Sequence, residues 1–182
     1  YSDEMKLRKA QISRDTKETS INLELNVDGK GKAIVSTGIA FFDHMLELFA
    51  KHSVCDVKLS CNGDLEVDGH HTVEDCGLVL GQAFYLALGE KKGIRRYGNG
   101  FDPRNPLWGD AHVPMDETLA RCVIDFSGRP YMVWRGMDKL QDVIDVKLMK
   151  RTLRWAIVVM LLGGFLVYQI EGVPPAEGPE KR

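Results

Sequence analysis

Alternation of apolar and polar side chains is the feature that most restricts what this chain can fold into. Residues 7–14 and 20–27 both alternate, and the second segment places Ile21, Leu23 and Leu25 on one face. A period of two with one apolar face is typical of a strand that is buried on one side only. The sequence therefore begins with strands that need a cover on one face.

Two helices are predicted among these strands. Residues 41–52 carry apolar side chains at helical spacing, and residues 72–88 predict a longer helix that ends at Gly89, a natural C-terminal stop. A turn at 28–31 predicts that the next strand returns as a hairpin on the strand before it. That next strand is predicted at residues 32–36, and two further strands are predicted at residues 54–60 and 65–68. The predicted order is strands, helix, strands, helix.

Composition excludes several classes of partner and site. The net charge of the 182 residues is -2, so no basic excess is present to neutralise phosphates, and no nucleic acid is expected as a partner. The four cysteines lack Cys-x-x-Cys spacing, which argues against a zinc knuckle or a thioredoxin-type site. Reduced thiols in a cytoplasmic protein are expected. Residues 1–20 are charged and lack an apolar run, so no secretory signal is predicted.

The sequence changes character after residue 98. Residues 98–112 are rich in Gly, Pro, Asp and Asn and predict a loop, after which residues 120–134 alternate again like the opening strands. Further on, four basic residues form one stripe if helical, and residues 155–170 carry no charge. This apolar run is shorter than the roughly 20 residues of a membrane-spanning helix. The run is therefore predicted to be a buried helix or strand, and membrane association through it is the alternative.

The stretch His70–Asp75 is the most informative for chemistry. In a helix that starts there, His70 and Glu74 are i and i+4 neighbours, and His71 and Glu74 are i and i+3 neighbours. One carboxylate can then lie beside both imidazoles. Neutral imidazoles with a carboxylate suit divalent manganese, iron or zinc. The alternative is a histidine pair that only decorates a helix start.

Further polar residues extend this candidate site. His44 lies at the start of the earlier helix. The carboxylate of Asp43 or Asp75 is expected to orient a metal-binding imidazole by accepting a hydrogen bond from its other ring nitrogen. Arg96 follows a helix and Arg129 lies in a Gly-Arg-Pro turn, so either side chain can grip an anion or be a simple surface charge.

Six stretches, taken in order across residues 8–134, resemble the imidazoleglycerol-phosphate dehydratase family. They are Arg14–Thr19, Thr37–Leu46, Gly63–Asp75, Leu88–Tyr97, Val113–Glu117 and Asp125–Tyr131. The resemblance implies an α/β fold of two related repeats, each a four-stranded sheet with helices on one face. It also implies a cytoplasmic, homo-oligomeric hydro-lyase of histidine biosynthesis that dehydrates D-erythro-imidazoleglycerol phosphate to imidazole acetol phosphate. A pair of Mn²⁺ ions is the implied cofactor.

The resemblance also assigns roles to individual residues. The residues that match the family's metal ligands are His44, His70, His71 and Glu74. Three residues match the family's substrate-binding positions: His52, Arg96 and Arg129. Of these, the two arginines match the residues that bind the phosphate of the substrate. The implied catalytic residues are Glu18, His71 and Glu74, of which Glu18 acts as a general acid or base.

The sequence departs from the family in two places. Residues 99–112 intervene as an inserted loop, and no histidine follows His112, so the metal-binding motif of the second repeat is missing. We therefore expect one complete repeat and a partial or degraded second one. The expected division is 1–98 for the first repeat, 99–112 for the insertion, 113–146 for the start of the second repeat and 147–182 for a divergent tail. The alternative to an active dehydratase is a non-catalytic or truncated homologue with a metal-binding half-site.

Overall fold

The computed structural model describes residues 8–91, 109–115, 118–125, 131–135 and 165–172. The first half contains β1 (Lys9–Asp15), β2 (Thr19–Asn26), β3 (Ala33–Ser36), α1 (Ala40–Ser53), β4 (Asp56–Gly63) and α2 (His70–Leu88). The second half contains β5 (Gly109–Met115), β6 (Thr118–Asp125), β7 (Tyr131–Arg135) and β8 (Phe165–Gly172).

The first sheet has the order β1-β2-β4-β3. β2 is antiparallel to both β1 and β4, whereas β3 is parallel to β4. α2 packs against β1, β2 and β4, and α1 packs against β3 and β4. The predicted α/β class, a four-stranded sheet with its helices on one face, is confirmed. The predicted helix end at Gly89 is also correct, since its amide donates to the Tyr85 carbonyl.

The predicted hairpin between β2 and β3 is wrong, because β3 pairs with β4 instead. The connecting segment crosses the start of β4, where the amides of Lys30 and Lys32 donate to Asp56 Oδ1 over 2.8 and 3.0 Å. The approach is so close that a Cβ at Gly29 would lie 2.3 Å from the Asp56 amide nitrogen. The connection thus leaves a space for one strand between β2 and β3, and β4 occupies that space.

The short strand predicted at residues 65–68 is also absent. These residues form a turn in which the Val67 amide donates to the Asp64 carbonyl over 2.8 Å. The alternation of Leu65 and Val67 suggested a strand, but both side chains are exposed in the structure. The turn brings the chain directly from the end of β4 to the start of α2.

The core lies between the sheet and the two helices. Alternate residues of β2 and β4 supply its lower layer: Ile21, Leu23, Leu25, Val57 and Leu59. The helices supply the upper layer: Leu46, Ala50, Cys76, Val79, Leu80, Ala83 and Ala87. Phe49 and Phe84 join the helices edge to face, with ring centroids 6.0 Å apart. The apolar face predicted for residues 20–27 is therefore the face that the helices cover.

The second sheet repeats the first in order and direction. Its order is β5-β6-β8-β7, with β7 parallel to β8 and the other pairs antiparallel. The register is repeated as well, because Thr19 pairs with Gly63 in the first sheet and Thr118 with Gly172 in the second. The second unit therefore has all four strands of its sheet.

Two predicted segment boundaries differ from the structure. Residues 109–112, assigned to the inserted loop, belong to β5, because pairing with β6 outweighs the turn preference of Gly109 and Asp110. Residues 165–172, assigned to the divergent tail, form β8 between β6 and β7. Periodicity does not separate a short apolar strand from a helix, which explains the second difference. Within the described parts of the chain, no helix is long and apolar enough to cross a membrane.

Substitution of Leu23 tests the assignment of the covered face. The Leu23 side chain is 1% exposed, so Leu23→Ala should lower the free energy of unfolding by about 2–5 kcal/mol. Glu24→Ala, on the open face, removes an exposed ion pair to Lys58 and should cost at most about 1 kcal/mol. Urea unfolding monitored by circular dichroism measures both, and equal losses would contradict the assignment.

Asp56 gives the fold a dependence on pH. The amides of Lys30 and Lys32 hold the pKa of its carboxyl below the ordinary value of 3.8. Since the carboxylate form is favoured in the folded chain, its contribution is present above that value and is lost as the pH falls through the folded pKa. Asp56→Asn should therefore flatten the fall in melting temperature below about pH 4, where the carboxyl protonates. If the melting temperatures of the wild type and of Asp56→Asn fall equally steeply with decreasing pH, this prediction is contradicted.

Candidate active site

The candidate site is built around the first turn of α2. Asp68 lies two residues before the helix, and its Oδ1 accepts the amide of His70 over 2.8 Å and also contacts Nδ1 of the same residue. This contact satisfies one of the free amides that every helix start exposes. The amide of His70, and then its imidazole, hold the pKa of the Asp68 carboxyl below its usual value. The negative charge also lies at the favourable end of the helix dipole.

His71 is held in the same way by a different carboxylate. Its Nδ1 lies 3.0 Å from Asp64 Oδ2 and 3.2 Å from Oδ1. The two imidazole rings lie side by side, with centroids 3.8 Å apart and an angle of 45° between their planes. Both rings therefore use Nδ1 toward a carboxylate, which leaves Nε2 as the nitrogen for a ligand. A carboxylate behind an imidazole is the usual support for a histidine that binds a metal.

The carboxylates predicted to support the imidazoles are occupied elsewhere. Asp43 Oδ1 accepts the amide and the hydroxyl of Thr37 over 2.9 and 2.5 Å, which fixes the entry to α1. Asp75 Oδ2 accepts the hydroxyl of Thr19 over 2.5 Å. The prediction for Asp43 and Asp75 is therefore wrong, and Asp64 and Asp68 take that place. Helical spacing does not reveal them because both lie in the turn; acidic residues just before a histidine pair were the available signal.

Glu18 lies in a tight loop between β1 and β2 that is tied to the same turn. Thr16 Oγ1 accepts the amides of Glu18 and Thr19 over 3.1 and 2.9 Å. The amide of Asp64 donates to the Glu18 carbonyl over 3.0 Å. Asp64 thus contacts the Glu18 carbonyl through its amide and His71 through its side chain, so the structure links two of the three predicted catalytic residues, Glu18 and His71.

The remaining predicted residues occupy separate positions. Glu74 is half-buried in α2, whereas His44 and His52 are exposed at the two ends of α1. Arg96 and Arg129 lie outside the described residues. Across the described portion of the chain, no three His, Cys, Asp or Glu side chains are grouped closely enough to hold a metal ion. The ligand roles of these residues stay a prediction.

The donor chemistry fits a divalent metal in part. Two adjacent imidazoles, each supported at Nδ1 by a carboxylate, are suitable neutral ligands for manganese, iron or zinc. Two ligands do not fill an octahedral shell, so further donors are needed. The His70–His71 pair would therefore supply only part of a metal site.

The end of β4 fixes the position of this pair. Gly63 packs beneath Thr72, which is fully buried, and a Cβ at Gly63 would lie 2.0 Å from Thr72 Oγ1. A larger residue would require a shift of the buried Thr72 side chain or of the helix that carries it. The first turn of α2 is thus seated directly on the end of β4 at Gly63, one residue before Asp64.

Gly63→Ala should consequently disturb the site end of α2. Overpacking at this contact should lower the free energy of unfolding by about 1–3 kcal/mol. Ser60→Ala, at an exposed position of the same strand, is the matched control and should change stability little. Chemical denaturation of the two variants checks this, and a Gly63→Ala variant as stable as the control would refute the contact.

Comparison with known proteins gives the family. The family model described as Imidazoleglycerol-phosphate dehydratase matches residues 37–157, more than half of the chain. The chain belongs to the imidazoleglycerol-phosphate dehydratase family, and the predicted family resemblance is confirmed.

Similar relatives bear that name. One from Acetivibrio thermocellus is 56% identical over 127 residues, which is 70% of this chain and 60% of the relative. One from Polaromonas sp. is 55% identical over 123 residues, which is 68% of this chain and 54% of the relative. The chain therefore spans between about half and three-fifths of the length of these relatives.

Solved structures extend the likeness beyond the sequence match. The dehydratase from Staphylococcus aureus has a TM-score of 0.67 and 28% identity, and the match covers 92% of this chain and 85% of that one. The enzyme from Pyrococcus furiosus, solved in complex with (S)-C348, has a TM-score of 0.65 and 27% identity, with 91% and 82% covered. These shares exceed the 70% of this chain that the first sequence match covers.

Proposed function

We propose that this chain acts as a metal-dependent imidazoleglycerol-phosphate dehydratase of histidine biosynthesis. The observation that carries the proposal is the pair of adjacent imidazoles, each supported at Nδ1 by a carboxylate, at the start of α2. Family membership supplies the reaction: D-erythro-imidazoleglycerol phosphate loses water to give imidazole acetol phosphate. The proposed substrate is thus a small phosphate ester, and the location is the cytoplasm.

The metal would be held through Nε2 of His70 and His71. Asp68 and Asp64 would fix each ring and keep the proton on Nδ1, so that Nε2 presents a lone pair. The resemblance adds Glu74 and His44 as further ligands and favours Mn²⁺. When bound, a divalent ion supplies Lewis-acid polarisation of the substrate's imidazole ring. Self-association belongs to the same proposal.

The elimination of water requires two proton movements. A carbon-bound hydrogen leaves as a proton, and the hydroxyl on the neighbouring carbon takes up a proton and leaves as water. The resulting enol then becomes the ketone by losing its hydroxyl proton and gaining a proton on the carbon that had carried the departed hydroxyl. We assign one of these transfers to the carboxylate of Glu18 as general acid or base. The Thr16 hydroxyl and the Asp64 amide hold the loop of Glu18, which limits the motion of that carboxylate.

The phosphate would supply positioning energy. Arg96 and Arg129 are the proposed phosphate ligands, since a guanidinium binds a phosphate through two parallel hydrogen bonds. His52 is proposed to line the substrate site. Binding energy from the unreactive end of the substrate would hold the reacting carbon near Glu18.

Metal binding tests the proposed ligands directly. Glu74→Ala should reduce the number of Mn²⁺ ions bound per chain, because it removes the carboxylate that the family resemblance assigns as a metal ligand. Glu47→Ala removes an exposed carboxylate on α1 and should bind as much Mn²⁺ as the wild type. Equilibrium dialysis with metal analysis gives both numbers, and unchanged stoichiometry in Glu74→Ala would count against the ligand assignment.

Turnover tests the reaction. The chain with Mn²⁺ should convert imidazoleglycerol phosphate, and Glu18→Gln should lower kcat by about 10²–10⁴-fold without loss of Mn²⁺, because only the proton transfer is removed. Product formation followed by chromatography measures this. Mn²⁺ binding without turnover would favour the alternative, a non-catalytic homologue with a metal-binding half-site.

A further inference from the structure

A second buried contact, centred on Asp75, has no part in holding the imidazoles. The Asp75 side chain is 13% exposed and lies in α2, one residue beyond Glu74. Its Oδ2 accepts the Thr19 hydroxyl over 2.5 Å and lies 2.6 Å from Arg14 Nη1. The buried Arg14 Nη1 has no well-aligned hydrogen bond within the described structure, so its charge is balanced by the Asp75 carboxylate.

The position of this contact links two parts of the proposed machinery. Thr19 directly follows Glu18, the proposed acid or base, and Asp75 directly follows Glu74, a proposed metal ligand. The bond therefore joins the loop of Glu18 to the metal-binding end of α2. Together with the amide of Asp64 on the Glu18 carbonyl, it gives the loop two attachments.

We propose that Asp75 is a positioning residue that sets the placement of Glu18 relative to the metal-binding turn of α2. The inference rests on the proposed function, since it presupposes that Glu18 moves a proton in the reaction. Asp75 itself would touch neither substrate nor metal, because the Thr19 hydroxyl and the Arg14 guanidinium already contact its carboxylate.

Physical reasons make this contact sensitive. The carboxylate accepts a hydroxyl and faces a cation in a poorly solvated position, where such bonds are short and strong. A small displacement of a catalytic group lowers the rate steeply even when substrate still binds. Loss of the link should thus affect kcat more than KM.

Variants of Thr19 give the sharpest test, because they leave the helix and the charges in place. Thr19→Val keeps the shape and removes the hydroxyl, whereas Thr19→Ser keeps the donor. In the full chain with Mn²⁺, Thr19→Val should lower kcat by about 10–100-fold with KM and Mn²⁺ stoichiometry unchanged. Thr19→Ser should retain most of the activity. Ser20→Ala, exposed on the same strand, is the control and should match the wild type.

A double-mutant cycle shows whether Asp75 acts through Thr19. Asp75→Asn should lower kcat at least as much as Thr19→Val, and the double variant should be no worse than Asp75→Asn alone. The link also contributes to folding, so kcat is compared per folded molecule at a temperature below the melting point of every variant.

Each outcome decides the question. If the wild type turns over and Thr19→Val matches it, or if only KM changes, or if the effects of the two substitutions are additive, the positioning role is overturned and the proposed function stands. If Asp75→Asn does not fold, the Thr19→Val and Thr19→Ser pair decides alone. If the wild type binds Mn²⁺ but shows no turnover, both the dehydratase proposal and this role are overturned.

Discussion

The seating of the first turn of α2 on the end of β4 is the contact on which the candidate site depends. With no side chain at Gly63, the buried Thr72 approaches the strand closely, and His71, one residue earlier, is brought beside Asp64. Asp64 directly follows the same strand, and its amide donates to the Glu18 carbonyl. The position of the imidazoles and the position of Glu18 thus both follow from where one strand ends, rather than from the helix alone.

Patterns of neighbouring residues made most helices and strands predictable. The features that these patterns did not predict depend mainly on contacts between residues distant in the sequence. Helical spacing correctly predicted the long helix that ends at Leu88, because that periodicity is local, although the helix begins two residues before the predicted start, at His70. The partner of β3 was mispredicted, since the path of its connection depends on Asp56, which is distant in sequence. The supporting carboxylates Asp64 and Asp68 were also missed, because a turn rather than a helix brings them to the rings. The strand of residues 165–172 was hidden by an apolar run that fits either a strand or a helix.

The two sheets show which features belong to the scaffold and which to the chemistry. Pairing of Thr19 with Gly63 recurs as pairing of Thr118 with Gly172, so strand order and register are common to both. The residue after the first glycine is Asp64, which supports an imidazole, whereas the residue after the second is a valine. The same backbone plan is therefore present twice, but only the first copy carries the acidic residue at this point.

The order of strands also has a consequence for the way the chain folds. In each sheet the last strand to be synthesised, β4 or β8, pairs with two strands that precede it in the chain. Until β4 emerges from the ribosome, the hydrogen-bonding edges of β2 and β3 remain open, and a long loop must close before they are joined. The nascent chain therefore passes through a stage with two unpaired edges in its first half, and again in its second, which makes protection by chaperones during synthesis most valuable at these two lengths.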